Sequence, residues 1–246
     1  MNYPKVTVLI THHINENDIY LEQCLRALKQ SIEIEIEIIA VSDAPERPQF
    51  RLSSHDVVWD RSLVSVPDKW AYALSHSDPQ AKYFLMVSDD VMVSKTLIAR
   101  MVQAMGKQKA IMGPLSNCDN GSRYFAAMPF PRKQTLEELG DERQVIDYPE
   151  GPTVLLPQDW IGFYCVMMPK SVADQVGDLD RDMEVRHNDV DYCYRARRLG
   201  IPSLIHLGVF AWHAGDRTIP KVTSEEQYKA ADRAMAEKYA GLARSL

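Results

Sequence analysis

Two acidic residues, Asp89 and Asp90, follow directly on the apolar run YFLMV of residues 83–87. Adjacent carboxylates at the buried end of a strand repel each other and lose hydration unless a cation or a hydrogen-bond donor compensates them. Mg²⁺ and Mn²⁺ accept carboxylate oxygens, and typically use one or two protein ligands together with substrate phosphates. The pair therefore predicts a divalent metal site, although a polar cap on the following helix would use the same dipeptide.

Three further acidic residues could take part in the same chemistry. Asp43 follows the run IIAVS, and Asp189 and Asp191 open the helical segment NDVDYCYRARRLG. A carboxylate acting as general base would accept the proton of an attacking hydroxyl. Asp191 stands four residues before Arg195, which favours an ion pair on one helix face over a second base. His213 ends the apolar segment SLIHLGVFAWH, where a metal-ligand role and an ordinary polar role are equally expected.

The elements that must position these residues alternate between strand and helix. A strand from Lys5 to Thr11, the run IIAVS, a short strand at 57–59 and YFLMV are separated by segments with helical apolar spacing. This order predicts an α/β fold with a mostly parallel sheet, whose ligand sites lie at the carboxyl ends of the strands. Ile and Glu alternate over residues 32–38, and we expect that part of the second strand to project toward solvent.

The second half of the chain continues with less regular spacing. We predict helices at 95–105, 134–139 and 171–177, a helix ending at Gly200, and an amphipathic helix at 225–240. Strands are predicted at 111–115, at 160–169 and at 203–213. Residues 117–158 are rich in Pro, Gly and charge, which is typical of a functional lid.

Several of these segments, in this order, resemble the family 2 glycosyltransferases with the GT-A fold over nearly all of residues 5–217. TVLITHHINENDIYLEQCLRAL is similar to the family's first strand, loop and helix, and IIAVSDAP to its second strand and acidic turn. FLMVSDDV resembles the strand that carries the DxD-type metal motif, here Ser-Asp-Asp. WIGFYCVMMPKSVADQVGDLD resembles the acceptor-side segment, with VGDLD in place of GGFD. HNDVDYCYRARRLG is similar to the EDVDLCLRLRKAG helix, with Asn188 in place of Glu, and FAWH to the closing strand.

The resemblance implies an inverting transfer of a sugar from a nucleotide diphosphate donor to an acceptor hydroxyl, with Mn²⁺ or Mg²⁺ as cofactor. It implies a mostly parallel sheet that binds the nucleotide, with helices on both faces, and a smaller subregion on the acceptor side. Asp189 falls on the family's catalytic base. The metal positions are Asp90 and His213, and the donor-binding positions are Thr11, His12, Asp43, Lys69 and Asp89. Contacts to the acceptor or diphosphate are expected from Trp160, Gly162, Asp191 and Arg195, although aromatic residues near strands are more often part of the core.

Composition limits the class of protein. The chain has 246 residues, 46% of them hydrophobic, and a formal net charge of −6, which argues against nucleic acid as a partner. The four cysteines are scattered and form no CxxC pair, which is typical of reduced thiols. No apolar run approaches the roughly 18 residues of a membrane span. We therefore expect a soluble, cytoplasmic protein that could visit a membrane surface for a lipid-linked acceptor.

One domain is expected, in two halves. Residues 1–116 form the nucleotide-sugar half, 117–217 the acceptor-binding and catalytic half with a lid-like segment at 117–158, and 218–246 a C-terminal helix. That helix is expected to pack on the domain or on a second subunit of a homo-oligomer. The acceptor would be a carbohydrate or a lipid-linked glycan, and family habit suggests polysaccharide biosynthesis.

Two other functions use a similar framework. A sugar-nucleotide nucleotidyltransferase usually carries a glycine-rich basic loop after its first strand, whereas THHINEND has neither Gly nor Lys. A non-catalytic sugar-binding module would be favoured if Asp90 or Asp189 were missing, and both are present. Transfer is therefore the function that the sequence favours.

Overall fold

The computed structural model describes residues 3–48, 57–106, 108–118, 134–183, 186–215 and 223–240. Within these ranges the strands are β1 Lys5–His12, β2 Glu35–Ser42, β3 Val57–Trp59, β4 Tyr83–Ser88, β5 Val91–Val93, β6 Ile111–Ser116, β7 Leu155–Gln158, β8 Cys165–Pro169 and β9 Ser203–His213. The helices are α1 Asp18–Lys29, α2 Val66–His76, α3 Leu97–Met105, α4 Leu136–Leu139, α5 Arg143–Ile146, α6 Lys170–Val176, α7 Asn188–Arg198 and α8 Glu225–Tyr239.

The strands of the described ranges form one sheet in the order β3-β2-β1-β4-β8-β6-β9-β5, and β7 also pairs with β9. β3, β2, β1 and β4 are mutually parallel, as the alternation of strand and helix predicts. β8 runs antiparallel to both of its neighbours, β4 and β6, and β6 is parallel to β9. β5 and β7 are antiparallel to β9. The sheet is therefore parallel from β3 to β4 and mixed beyond β4.

Both faces of the sheet are covered, because successive strand residues point to opposite sides. In β1, Val8 and Ile10 join a cluster with α1 and α3, whereas Leu9 joins the opposite cluster with α2, α6 and α7. α1 buries side chains at spacings of three and four residues, namely Leu21, Cys24, Leu25 and Leu28. The two covered faces fix the sheet, so that only its edges and strand ends can form a site.

Three sequence-based predictions need correction. The strand expected at 160–169 begins only at Cys165, because residues 159–164 form an irregular turn before β8. β5 and β7 were not predicted, since each is too short to show a period. In the alternating segment Glu33 and Glu35 are exposed, whereas Glu37 is partly buried and accepts hydrogen bonds from Thr7 Oγ1 at 2.8 Å and Asp78 N at 2.9 Å.

The 117–158 segment is partly described. Residues 119–133 lie outside the described residues, and α4 and α5 occupy part of the remainder. Leu139, Val145 and Ile146 pack with Phe210 and Trp212 in a third apolar cluster. Among the residues that the structure describes, no helix is both long and apolar enough to cross a bilayer.

Candidate active site

Asp89 and Asp90 form the link between β4 and β5. β5 pairs antiparallel with the end of β9, which sets Val91 opposite His213. Ala214 N donates to Asp90 O at 3.1 Å and extends this pairing to the aspartate itself. The short strand that the sequence did not reveal is therefore the element that brings Asp90 and His213 together. Both aspartates are nearly enclosed, with 3% and 5% of their surface exposed.

His213 is bound to Asp90. Its Nε2 lies 3.1 Å from Asp90 Oδ1, and its ring stacks on Tyr164 with the centroids 4.7 Å apart. Burial disfavours the imidazolium, but the charge and hydrogen bond of Asp90 outweigh burial and raise the pKa of His213 to about 10. A protonated His213 therefore neutralises Asp90 in this arrangement.

Asp89 has one unsatisfied oxygen. Burial, and then the charge of Asp90, raise its pKa well above the usual range, although the Asn17 side chain hydrogen-bonds to the carboxylate. The buried atom Oδ2 has no hydrogen-bond partner, and His12 Nε2 lies 3.9 Å away. Burial, followed by His13 and Lys69, lowers the pKa of His12 to about 3, so this ring is neutral. A buried carboxylate oxygen without a partner is costly unless a ligand completes it.

A second charged group lies at the ends of β1 and β2. Lys69, fully buried on α2, donates to His12 O at 3.0 Å and to Asp43 Oδ1 at 2.6 Å. His13 Nδ1 lies 2.9 Å from the same carboxylate oxygen. Burial lowers the pKa of Lys69 to about 8 although Asp43 acts against it. Burial alone would raise the pKa of Asp43, but His13 and Lys69 outweigh it and lower that pKa.

The local sequence explains why Lys69 points inward. Ser65 caps α2 by accepting from Asp68 N at 3.1 Å, and a proline follows in the first turn. The next turn buries Trp70, which contacts Phe84 and Tyr192 edge to face. Once Trp70 is fixed in the core, its neighbour Lys69 is directed toward the carboxyl ends of β1 and β2. Thr11, also buried, lies at that edge beside Ser88 in the sheet register.

Asp189 is in the first turn of α7. Its Oδ1 accepts from Val190 N at 2.8 Å, and the backbone N–H of Phe163 also bonds to the carboxylate. Burial nevertheless raises the pKa of Asp189, with these hydrogen bonds acting in the opposite direction. Phe163 precedes Tyr164, the residue that stacks on His213. Two consecutive residues thus connect Asp189 to the Asp90–His213 pair.

The same edge of the sheet therefore carries both groups that the sequence assigned to donor and base. Lys69 bonds to the carbonyl of His12, the His12 ring approaches Asp89, and Asp90 binds His213. Hydrogen bonds join Asp43, Lys69 and the His12 backbone, the His12 ring lies 3.9 Å from Asp89 Oδ2, and the 163–164 turn links the Asp90–His213 pair to Asp189.

The donor set fits a hard divalent cation that keeps substrate oxygens as ligands. Within the described ranges, no three or more His, Cys, Asp or Glu side chains converge as a metal cluster. Asp90 Oδ1 and His213 Nε2 nevertheless lie 3.1 Å apart, and the neighbouring Asp89 carries the unsatisfied oxygen Oδ2. Mg²⁺ and Mn²⁺ need few protein ligands when phosphates supply the rest.

The four residues assigned to the acceptor or diphosphate lie in different environments. Gly162 is buried in the turn before β8, and Trp160 is partly buried against the cluster of α2, α6 and α7. Asp191 is fully buried and accepts from Arg195 Nε at 2.8 Å, the pairing that the four-residue spacing favours. Arg195 also donates to the carbonyls of Val176 and Asp178. Asp191 and Arg195 thus bind each other, and contact with the acceptor or diphosphate stays a prediction for all four residues.

Sequence reasoning missed the residues that hold the site in place. Asn117, which follows β6, accepts from His213 N at 2.8 Å and donates to His213 O at 3.0 Å. This buried amide fixes the backbone that carries the candidate metal ligand. Asn17 bonds to Asp89, and Tyr164 covers His213. An Asn directly after a strand is the one signal that could have revealed Asn117, but it is equally typical of a loop.

Solved structures are similar to this chain at low sequence identity. The match to TarS from S. aureus covers 96% of this chain, with a TM-score of 0.58 and 12% sequence identity. The match to TarS residues 1–349 in complex with UDP-GlcNAc covers 92% of this chain, with a TM-score of 0.58 and 12% sequence identity. GalNAc-T7 with UDP, GalNAc and Mn²⁺ covers 92% with a TM-score of 0.67 at 13% identity. The chain has a GT-A fold. It spans 40%, 64% and 47% of these three structures respectively. Neither a protein-family model nor a curated protein matched the sequence.

Proposed function

We propose that this GT-A chain is an inverting, divalent-metal-dependent glycosyltransferase that moves a sugar from a uridine diphosphate donor to an acceptor hydroxyl. The observation that carries the proposal is the placement of two charged groups at the carboxyl edge of the sheet: Lys69 bonded to Asp43 and to the His12 carbonyl, and the Asp89–Asp90 pair with His213. Ligands of this fold class bind at the carboxyl ends of the strands, so these groups would hold the nucleotide and the cation of one donor.

The donor would bind across this edge. Asp43 and Lys69 are assigned to the base and ribose side, with Thr11 and His12 lining the pocket. Asp89 is assigned to the ribose or the cation through its unsatisfied oxygen. The two neighbours solved with UDP or UDP-GlcNAc support a uridine nucleotide as the first donor class to test.

Asp90, with His213, would hold Mn²⁺ or Mg²⁺. The bound ion would offset the negative charge that develops on the departing diphosphate. His213 would lose its proton to become a ligand, because only the neutral ring can coordinate a metal. The neighbour solved with Mn²⁺ supports a divalent ion in this fold.

Asp189 is assigned to the general base. In an inverting reaction the acceptor oxygen attacks the anomeric carbon from the face opposite the leaving group, and one carboxylate takes its proton. Burial raises the pKa of Asp189, and a higher pKa makes its carboxylate a stronger proton acceptor. The Phe163 N–H hydrogen-bonds to this carboxylate without neutralising it.

The remaining assignments follow from the proposed reaction. The acceptor is a carbohydrate or a lipid-linked glycan, in keeping with a role in polysaccharide assembly at a cytoplasmic membrane surface. Trp160 and Gly162 are assigned to its side of the site, and residues 117–217 to the acceptor-binding half. A homo-oligomer through α8 stays a prediction, since that helix packs on its own domain in this structure.

The decisive experiment is a panel of nucleotide sugars, beginning with UDP-GlcNAc and UDP-GalNAc, incubated with Mn²⁺ or Mg²⁺ and simple glycoside acceptors. Nuclear magnetic resonance of the product would give the anomeric configuration. We expect metal-dependent transfer or donor hydrolysis with inversion. Retention of configuration would refute the assignment of Asp189 as a base. Binding of UDP without any turnover of a donor would favour a non-catalytic module.

A further inference from the structure

The first turn of α7 carries Asp189 and is closed by a single backbone bond. Asp191 N donates to His187 O at 2.8 Å, so that Asp189 lies between the two residues of this bond. The orientation of Asp189 therefore depends on whatever holds His187 and Asp191. Both of these residues bind α8.

His187 has an unusual backbone for its type. Its φ of 67° and ψ of −4° lie in the left-handed region, which few residues with a Cβ adopt. Its side chain makes no capping bond to α7. Instead, Nε2 lies 2.8 Å from Asp232 Oδ1 on α8, and Arg186 Nε approaches the same carboxylate at 3.4 Å. The bond to Asp232 is thus the contact that restrains His187 from outside its own helix.

Asp191 is restrained from the same helix. Tyr239 Oη donates to Asp191 Oδ1 at 2.6 Å, and Lys238 Nζ lies 2.7 Å from that oxygen. Arg195 Nε donates to the other carboxylate oxygen, Asp191 Oδ2. Because Asp191 is fully buried, a lost donor would leave part of its charge without compensation.

The contacts to α8 are polar and correctly spaced. Asp232 and Tyr239 are seven residues apart, which puts them on one face of the helix, two turns from each other. Within α8, burial is confined to Ala231. A helix that docks with so little apolar burial contributes little core, whereas its polar side chains reach both ends of the turn that holds Asp189.

We infer that α8 is a positioning element for the general base, acting through Asp232 on His187 and through Tyr239 on Asp191. The inference rests on the proposed role of Asp189. Neither Asp232 nor Tyr239 touches substrate in this scheme. Their loss should leave donor binding intact and misplace the carboxylate that takes the proton.

The test compares the double variant Asp232→Ala, Tyr239→Phe with the exposed-site control Glu226→Ala on the same helix. Asp232→Asn serves as the conservative variant, because its amide oxygen can still accept from His187. Backbone amide hydrogen exchange of residues 189–191 reports the turn directly, and steady-state kinetics separate kcat from the donor KM. Thermal unfolding of each variant shows that the domain remains folded.

In the double variant we expect exchange at Asp191 to accelerate about tenfold or more. We expect kcat to fall by about 10- to 100-fold, with the donor KM within about twofold of wild type. Glu226→Ala and Asp232→Asn should stay close to wild type in both measurements. Unchanged exchange, or faster exchange with unchanged kcat, would overturn the inference. A wild-type chain that turns over no nucleotide sugar would instead reject the proposed function, and exchange would still decide whether α8 holds the turn.

Discussion

Replacing Lys69 by Met removes the cation at the carboxyl ends of β1 and β2 while keeping an unbranched side chain of similar length. Lys69 Nζ donates to Asp43 Oδ1 at 2.6 Å and to His12 O at 3.0 Å, and the Lys side chain is fully buried. Removing one partner of a buried ion pair costs about 3–5 kcal/mol. The Asp43 side chain keeps 14% exposure, so water can compensate part of the loss and the lower end applies. We expect a loss of about 3 kcal/mol in the free energy of unfolding.

For a chain of this size, that loss corresponds to a fall of about 6–12 °C in Tm. Urea titration and thermal scans at pH 7 would measure it, with exposed Lys82→Met as a control that should stay within about 0.5 kcal/mol of wild type. The double variant Lys69→Met, Asp43→Asn leaves no uncompensated charge, so its cost should be about 1–3 kcal/mol below the sum of the single costs. Additive costs, or a single-variant loss below about 0.5 kcal/mol, would refute the electrostatic account of this cluster.

Lys69 should also make the free energy of unfolding depend on pH. Burial lowers the pKa of Lys69 to about 8 from the ordinary 10.5. Between those values the folded state holds fewer protons than the unfolded state, so stability rises with pH in this window. Wild type should gain stability relative to Lys69→Met between pH 8 and pH 10.5. A difference between the two that stays constant from pH 7 to pH 10.5 would contradict the lowered pKa.

Three further predictions concern the site and the sheet. UDP at 100 times its Kd should stabilise the wild-type protein by about 2.7 kcal/mol, and Asp90→Asn should abolish the part of this stabilisation that depends on Mn²⁺, as measured by thermal shift. An unchanged effect of Mn²⁺ in Asp90→Asn would place the ion elsewhere. Asp189→Asn should lower transfer by about 10²- to 10⁴-fold with UDP affinity nearly unchanged, and wild-type kcat/KM should rise with pH through a pKa above the ordinary 3.8, because the base must be ionised. Gly208→Ala should destabilise by about 1–3 kcal/mol, since its Cβ would lie 2.3 Å from Pro152 O, whereas Gly151→Ala, at 3.2 Å from Gly208 Cα, should cost less in urea titration.

The sequence predicted the parallel half of the fold because its strands are long and apolar and each is followed by turn chemistry. β1, β2 and β4 end where the composition changes, and the acidic residues that follow them lie at the expected edge. β5 and β7 escaped prediction because three or four residues cannot display a period. The residues 160–164 are apolar for a different reason: they pack in a turn and do not form a strand.

The candidate site was predictable in part. Asp90 and His213 were assigned to one cation by resemblance, and the structure explains their proximity through β5. The contacts of Asn117 with the His213 backbone could not be predicted, because they join a loop residue to the end of β9, 96 residues away. The inward direction of Asp191 follows from the four-residue spacing to Arg195, but the additional donors from α8 depend on tertiary packing alone.

The position of β9 has a consequence for how the chain folds. This strand pairs with β6 on one side and with β7 and β5 on the other, so it joins segments that are synthesised well before it. A nascent chain that lacks β9 would leave the edge of β6 and both short strands unpaired, and open edges invite association between chains. The contact between Asp90 and His213 is therefore expected to form late in folding, after the parallel strands β1 to β4 have assembled. Pulse-labelling hydrogen exchange during refolding should find amides of β1 and β4 protected before those of β5.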